Sequence, residues 1–183
     1  MLFRSGVSAP SAFKARVEKE IARVLRMKRD VAMVRRDAAE MRRAIAVEKG
    51  ERGRWDFKNA AGGLTDIEFI AQYLQLVHAA RRPEILDPNT GRVLAEAQAL
   101  GLLDTADSEL LRGAWQLYAD LGQILRLCLS RPFDSKQAGP GLLALLARAA
   151  GLPDFTTLDA HLIDTQKRVR ACFKRLIETE VMS

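Results

Sequence analysis

The residues best suited to chemistry fall in one stretch, Trp55-Asp56-Phe57-Lys58-Asn59-Ala60-Ala61-Gly62-Gly63-Leu64-Thr65-Asp66-Ile67-Glu68-Phe69-Ile70-Ala71-Gln72-Tyr73-Leu74. Two glycines precede a helix start. They permit a positive φ or the close approach of another group. A Gly-Gly turn feeding a helix N-terminus is a plausible anion site, because unbonded N–H groups and the positive end of the helix dipole meet there. Lys58 adds a positive charge just upstream. Thr65 and Glu68 have the Ser/Thr-x-x-Glu spacing of a capping box. The plainer reading of the same residues is a helix start with no ligand.

The helix that follows is apolar on two faces. Ile67, Ile70, Ala71, Leu74 and Val77 form one, and Phe69, Tyr73, Leu76 and Ala80 the other. Between them runs a narrow polar stripe of Glu68, Gln72 and Gln75. A helix this apolar is buried. Its polar stripe must either join an internal hydrogen-bond network or line a cleft, because an unpaired buried polar group costs about 1–3 kcal/mol.

Seven helical stretches position this segment, and the fold class they imply is all-α. The first runs from about Ser11 to Met27, with Phe13, Val17, Ile21 and Val24 on one face. The second follows Asp30, a good N-cap, and stops at Gly50. Its apolar positions, Val31, Val34, Ala38, Met41 and Ile45, trace a coiled-coil-like seam. These two helices are expected to form an antiparallel hairpin. The third spans Thr65 to just before Pro83. The fourth covers Thr90 to Leu100, the fifth Thr105 to Leu129 behind an Asp104 or Asp107 cap, and the sixth Gly141 to Ala150. The seventh spans Thr157 to Val181, with Leu158, Leu162, Thr165, Val169, Cys172 and Leu176 inward. No period-2 alternation marks a strand. The organisation read from this is a basic helical hairpin over 1–54 on a helical body over 55–183.

Composition narrows the function classes. The chain has 183 residues and a net charge of +6. Its size suits one domain that buries roughly 70% of its unfolded surface without a disulfide or metal staple. Two cysteines, Cys128 and Cys172, exclude a disulfide scaffold, and both are expected as buried structural thiols. Two histidines, His78 and His161, argue against a His-built metal site. The longest apolar run, Leu142 to Ala147, falls far short of a membrane span, and the N-terminus lacks the pattern of a signal peptide. A cytoplasmic location is expected. The charge is uneven: residues 14–54 hold 14 basic and 7 acidic side chains, and the rest is near neutral. The seven acids dilute that field and no aromatics interleave, so nucleic acid is not the expected partner.

The segment from Asp56 to Tyr73 resembles the signature of glutamine synthetase adenylyltransferases, and more loosely that of the related PII-uridylyltransferases. The resemblance extends to Arg29-Asp30 with Asp37-x-x-x-Met41-Arg42, to Gly101-Leu102-Leu103-Asp104 with Glu109-Leu110-Leu111-Arg112, and to Arg168-Val169-Arg170-x-x-Phe173-x-x-Leu176. It implies the helical domain that follows a nucleotidyltransferase domain in a bifunctional enzyme. One half of that enzyme transfers AMP from ATP to a tyrosine of glutamine synthetase; the other removes it by phosphorolysis. The end of the chain shortly after the last motif, and Ser130-Arg131-Pro132-Phe133-Asp134 after the long helix, favour the adenylylating half. The implied partners are an upstream nucleotidyltransferase domain, glutamine synthetase and PII signalling protein, with no membrane. ATP and Mg2+ belong to the parent enzyme, and no cofactor is expected on this chain alone.

Asp66-Ile67-Glu68 resembles the metal-binding carboxylate pair of nucleotidyltransferases, but residues i and i+2 of a helix point apart. No catalytic or metal-binding residue is therefore expected here. Lys58, Gly62, Gly63, Asp66, Glu68 and Gln72 are the candidates for bordering a nucleotide cleft. The alternative is a stand-alone helical module that binds protein or nucleic acid through its basic hairpin.

Overall fold

The structure, a computed structural model, describes residues 11–50 and 53–179. Seven α-helices follow one another: α1 (Ser11–Leu25), α2 (Val31–Lys49), α3 (Leu64–His78), α4 (Thr90–Ala99), α5 (Thr105–Cys128), α6 (Pro140–Ala149) and α7 (Phe155–Phe173). A 3-10 turn spans Pro83–Ile85, and a π-helical turn, Lys174–Glu178, continues α7. No strand occurs among the described residues, and the fold is all-α.

Local chemistry sets the helix ends. Asp30, Asn89, Asp104 and Asp154 each accept a hydrogen bond from the backbone N–H three residues on, satisfying a donor the helix leaves open. Two of the expected ends lie elsewhere. The third helix stops at His78 rather than near Pro83, and Arg82, the residue before that proline, lies outside the α region, as a following proline requires. The last helix widens into the π turn at Lys174. Its expected end, Val181, lies outside the described residues.

The core forms where α3, α5 and α7 meet, with α2, α4 and α6 around them. Ile67, Ile70, Ala71 and Leu74 of α3 are buried against Leu111, Tyr118 and Leu121 of α5 and Leu158, Leu162, Val169 and Phe173 of α7. An aromatic cluster pins the loop that carries the chemical segment. Trp55 stacks on Phe155 with ring centroids 5.3 Å apart and tilts against Phe133 at 4.6 Å. Phe57 stacks on Tyr118 at 5.8 Å.

The expected hairpin of the first two helices does not form. The partner of α2 is α3. Arg35 donates to the Tyr73 hydroxyl at 3.0 Å, and Arg42 donates to Asp66. Going up α2 means going down α3, so the two helices run antiparallel. The buried line of α2 is also rotated from the expected seam. Ala39 and Arg42 are buried, whereas Met41 is 60% exposed and Val31 is exposed. Two arginines displace the apolar seam because α3 offers them a carboxylate and a phenol. α2 is thus a member of the bundle. α1 leaves Phe13, Val17, Ile21 and Val24 exposed, and Arg29 caps its carboxyl end by donating to the carbonyls of Val24, Leu25 and Met27.

The cysteines also part company. Cys172 is buried, as expected, but Cys128 is exposed, because the last turn of α5 runs past the body and carries Leu127 into solvent with it. Burial, with the nearby Asp107 charge, pushes the Cys172 thiol up to about 12. A thiol this far above its ordinary value holds almost no reactive thiolate near neutrality. Titration of the native chain with a thiol reagent at pH 8 should therefore modify one cysteine, Cys128, and unfolding should release the second.

Candidate functional site

The turn before α3 is held by a single buried carboxylate. Asp66, fully buried in the first turn of α3, bonds through Oδ1 to Nε of Arg42. Its Oδ2 accepts the Gly62 N–H at 2.7 Å and faces Nη1 of Arg170 at 3.4 Å. One side chain thereby joins α2, the Gly-Gly turn, α3 and α7. Arg42 also donates to the Asn59 carbonyl at 3.2 Å, and Arg170 to Glu178 at 2.7 Å.

The glycines are required by what lies beside them. Gly62 has φ +76°, and a Cβ there would collide with the Gln166 backbone carbonyl of α7. A Cβ on Gly63 would come within 2.5 Å of the Phe57 carbonyl. The turn folds back so tightly that it bonds the helix end itself. Gly63 N–H donates to Ala60, Leu64 N–H to Phe57, Thr65 N–H to Lys58, and the Asp66 and Ile67 N–H groups to Gly63. This corrects two expectations. The first-turn N–H groups are already bonded and offer no cradle for an anion at the helix end. The capping box is also not made: Thr65 Oγ1 donates to the Lys58 carbonyl at 2.7 Å, and α3 has no side-chain cap.

The six candidate residues therefore fall into three groups. Gly62, Gly63 and Asp66 are buried and hold the turn together. Lys58 is exposed. Glu68 and Gln72 are half-buried on α3 and have no hydrogen-bond partner among the described residues. Gln72 lines a groove of about 480 Å³ between α2 and α3, with Met33, Met41, Phe69 and Tyr73. Gln75 leaves the polar stripe to accept the Asp87 N–H at 3.2 Å. Asp66 is sealed by two guanidinium groups, so it offers no free oxygen to a metal beside Glu68. Among the described residues no group of three His, Cys, Asp or Glu side chains is placed to hold a metal ion. Half-burial lowers the His78 pKa, and His161 is exposed.

The residues missed as site formers are arginines. Arg42, Arg43, Arg54 and Arg170 line a cleft of about 330 Å³ on the far side of the turn, with Asn59 and Gln166. Arg54 is oriented by Asp159 at 2.8 Å, and its carbonyl accepts Gln166 Nε2 at 2.7 Å. The available signal was the pairing of Arg42 and Arg170 with an acid on an otherwise apolar helix. Nearby, the Tyr118 hydroxyl is buried without a partner among the described residues, and burial and the Asp66 charge raise its pKa.

Removing one member of a buried ion pair costs about 3–5 kcal/mol. Urea denaturation of Asp66→Ala should show a loss in that range. Gly62→Ala should cost well over the ~1 kcal/mol that left-handed backbone alone imposes, and more than Gly101→Ala, whose φ of +68° faces open space. Tyr118→Phe should be neutral or slightly stabilising, because the hydroxyl it removes has no partner among the described residues.

Known proteins match this chain along most of its length. The family model described as GlnD PII-uridylyltransferase matches residues 32–177. A bifunctional glutamine synthetase adenylyltransferase/adenylyl-removing enzyme of Bradyrhizobium sp. is 55% identical over 94% of the chain. Proteins of that name are 54% identical over 95% of the chain in Rhodopseudomonas palustris and 49% over 94% in Xanthobacter autotrophicus. The chain spans about 18% of the length of these relatives. The matched residues contain the Asp66 tether, its two arginines and the Gly-Gly turn, and on that match the chain belongs to the GlnD PII-uridylyltransferase family.

Proposed function

We propose that this chain is the helical domain beside a catalytic nucleotidyltransferase domain in a glutamine synthetase adenylyltransferase. One observation carries the reading: identity to proteins of that name is 55% along 94% of the chain, the signature turn included. In such a parent, AMP passes from ATP to a tyrosine of glutamine synthetase in the cytoplasm, PII protein regulates the exchange, and the second half removes AMP by phosphorolysis. ATP and Mg2+ serve the parent. The metal-binding carboxylates belong to the neighbouring domain, a division supported by the sealing of Asp66 between arginines.

The role of this domain is to present a rigid wall to the catalytic cleft. The Asp66 tether holds the turn, and Lys58, Glu68 and Gln72 stand on its accessible side. The uncovered apolar stripe of α1, Phe13, Val17, Ile21 and Val24, supports a further domain packing there, since an amphipathic helix seeks a partner for its apolar face. Lys58→Ala and Glu68→Ala, made at the matching positions of the full-length Bradyrhizobium relative, test the reading. Neither side chain bonds within the described residues, so folding should be unchanged. Loss of a charged contact in the transition state should lower kcat/KM for AMP transfer about tenfold or more. Wild-type transfer and ATP affinity in both variants would sink it.

A further inference from the structure

We infer that the arginine-lined cleft behind the Gly-Gly turn binds a phosphate-bearing anion. The inference goes beyond the reading above and does not depend on it.

The cleft gathers its charge from three separate parts of the chain. Arg42 and Arg43 come from α2, Arg54 from the loop before α3, and Arg170 from α7. No carboxylate among the described residues lines it. The acids that balance the arginines are bonded outside that lining. Asp66 is fully buried between Arg42 and Arg170, Glu178 holds Arg170, and Asp159 holds Arg54. These contacts orient three of the four guanidinium groups along the cleft, and Arg43 adds a charge that no described carboxylate balances. Arg43 makes no hydrogen bond or ion pair with any described residue and is exposed at the cleft. Clefts lined by one sign of charge concentrate the opposite ion.

The lining also suits phosphate in shape. Ala46, Ala60 and Ala61 keep the walls low between the arginines. The volume, about 330 Å³, lies at the small end of the ~300–1,000 Å³ that ligand sites occupy, which suits a phosphate chain better than a large apolar ligand. Guanidinium presents a planar fork of donors that matches phosphate oxygens. Orientation by fixed acids lowers the entropy lost when that fork binds. The site is distinct from the helix N-terminus, whose N–H groups are used internally.

Isothermal titration of the 183-residue chain with tripolyphosphate at low salt tests the inference. Saturable binding that weakens as salt rises is expected. The double variant Arg43→Ala/Arg54→Ala should weaken it about tenfold or more, since each lost charged hydrogen bond is worth ~1.5–3 kcal/mol. Arg112→Ala, an exposed arginine on α5 away from the cleft, should leave it unchanged. Titration with ATP separates the sources: tighter binding than tripolyphosphate assigns a nucleotide, and equal binding assigns the phosphate chain alone. Either result upholds the site. Absence of saturable binding, or equal weakening by Arg112→Ala and the double variant, would overturn it, because the charge would then act diffusely.

Discussion

A carboxylate sealed from water between two guanidinium groups governs this structure. Burying a lone charge is prohibitive, so Asp66 can occupy its place only if Arg42 and Arg170 arrive with it. That requirement fixes the rotation of α2, which must turn Arg42 inward at the expense of Met41. It fixes α7, which must pass close enough for Arg170 to reach the second oxygen. The same oxygen takes the Gly62 N–H, so the turn is held by the charge that holds the helices. Hydrophobic burial supplies most of the driving force, but it is non-directional. The ion pairs add direction and register.

The glycine pair and the aromatic cluster extend that constraint. Gly62 lets the Gln166 carbonyl approach where any side chain would intrude. Trp55 and Phe57 anchor the loop from the other end, against Phe155, Phe133 and Tyr118. Between these fixtures the backbone folds over the start of α3 and bonds its open N–H groups. A motif that looks like an anion cradle thus serves as a closed structural corner. The charge displaced from that role reappears on the far side, where Arg43 and Arg54 flank the arginines that hold Asp66.

Local patterns were legible in the chain itself. The seven helices, the Asp30 and Asp104 caps, the inward face of the last helix and the all-α class follow from apolar spacing and from side-chain oxygens that reach nearby N–H groups. The importance of Gly62, Gly63 and Asp66 was legible too, although not their task. Apolar periodicity misled at α2, because it treats arginine as a surface residue and cannot register a buried acid on a helix still to come. It misled at Cys128, because spacing does not say where a long helix outruns the body.

The class of fold, the ends of most helices and the segment that matters could be read along the chain. These depend on interactions within a few residues. Folding in three dimensions was needed to pair α2 with α3 rather than α1, to seal the Gly-Gly turn on itself, and to gather four arginines from distant positions in one cleft. Those outcomes rest on charges brought together from 24 residues apart, Arg42 with Asp66, and from 104, Asp66 with Arg170. No local spacing encodes them, because the cost of burying each charge is offset only once its partner has been folded into place.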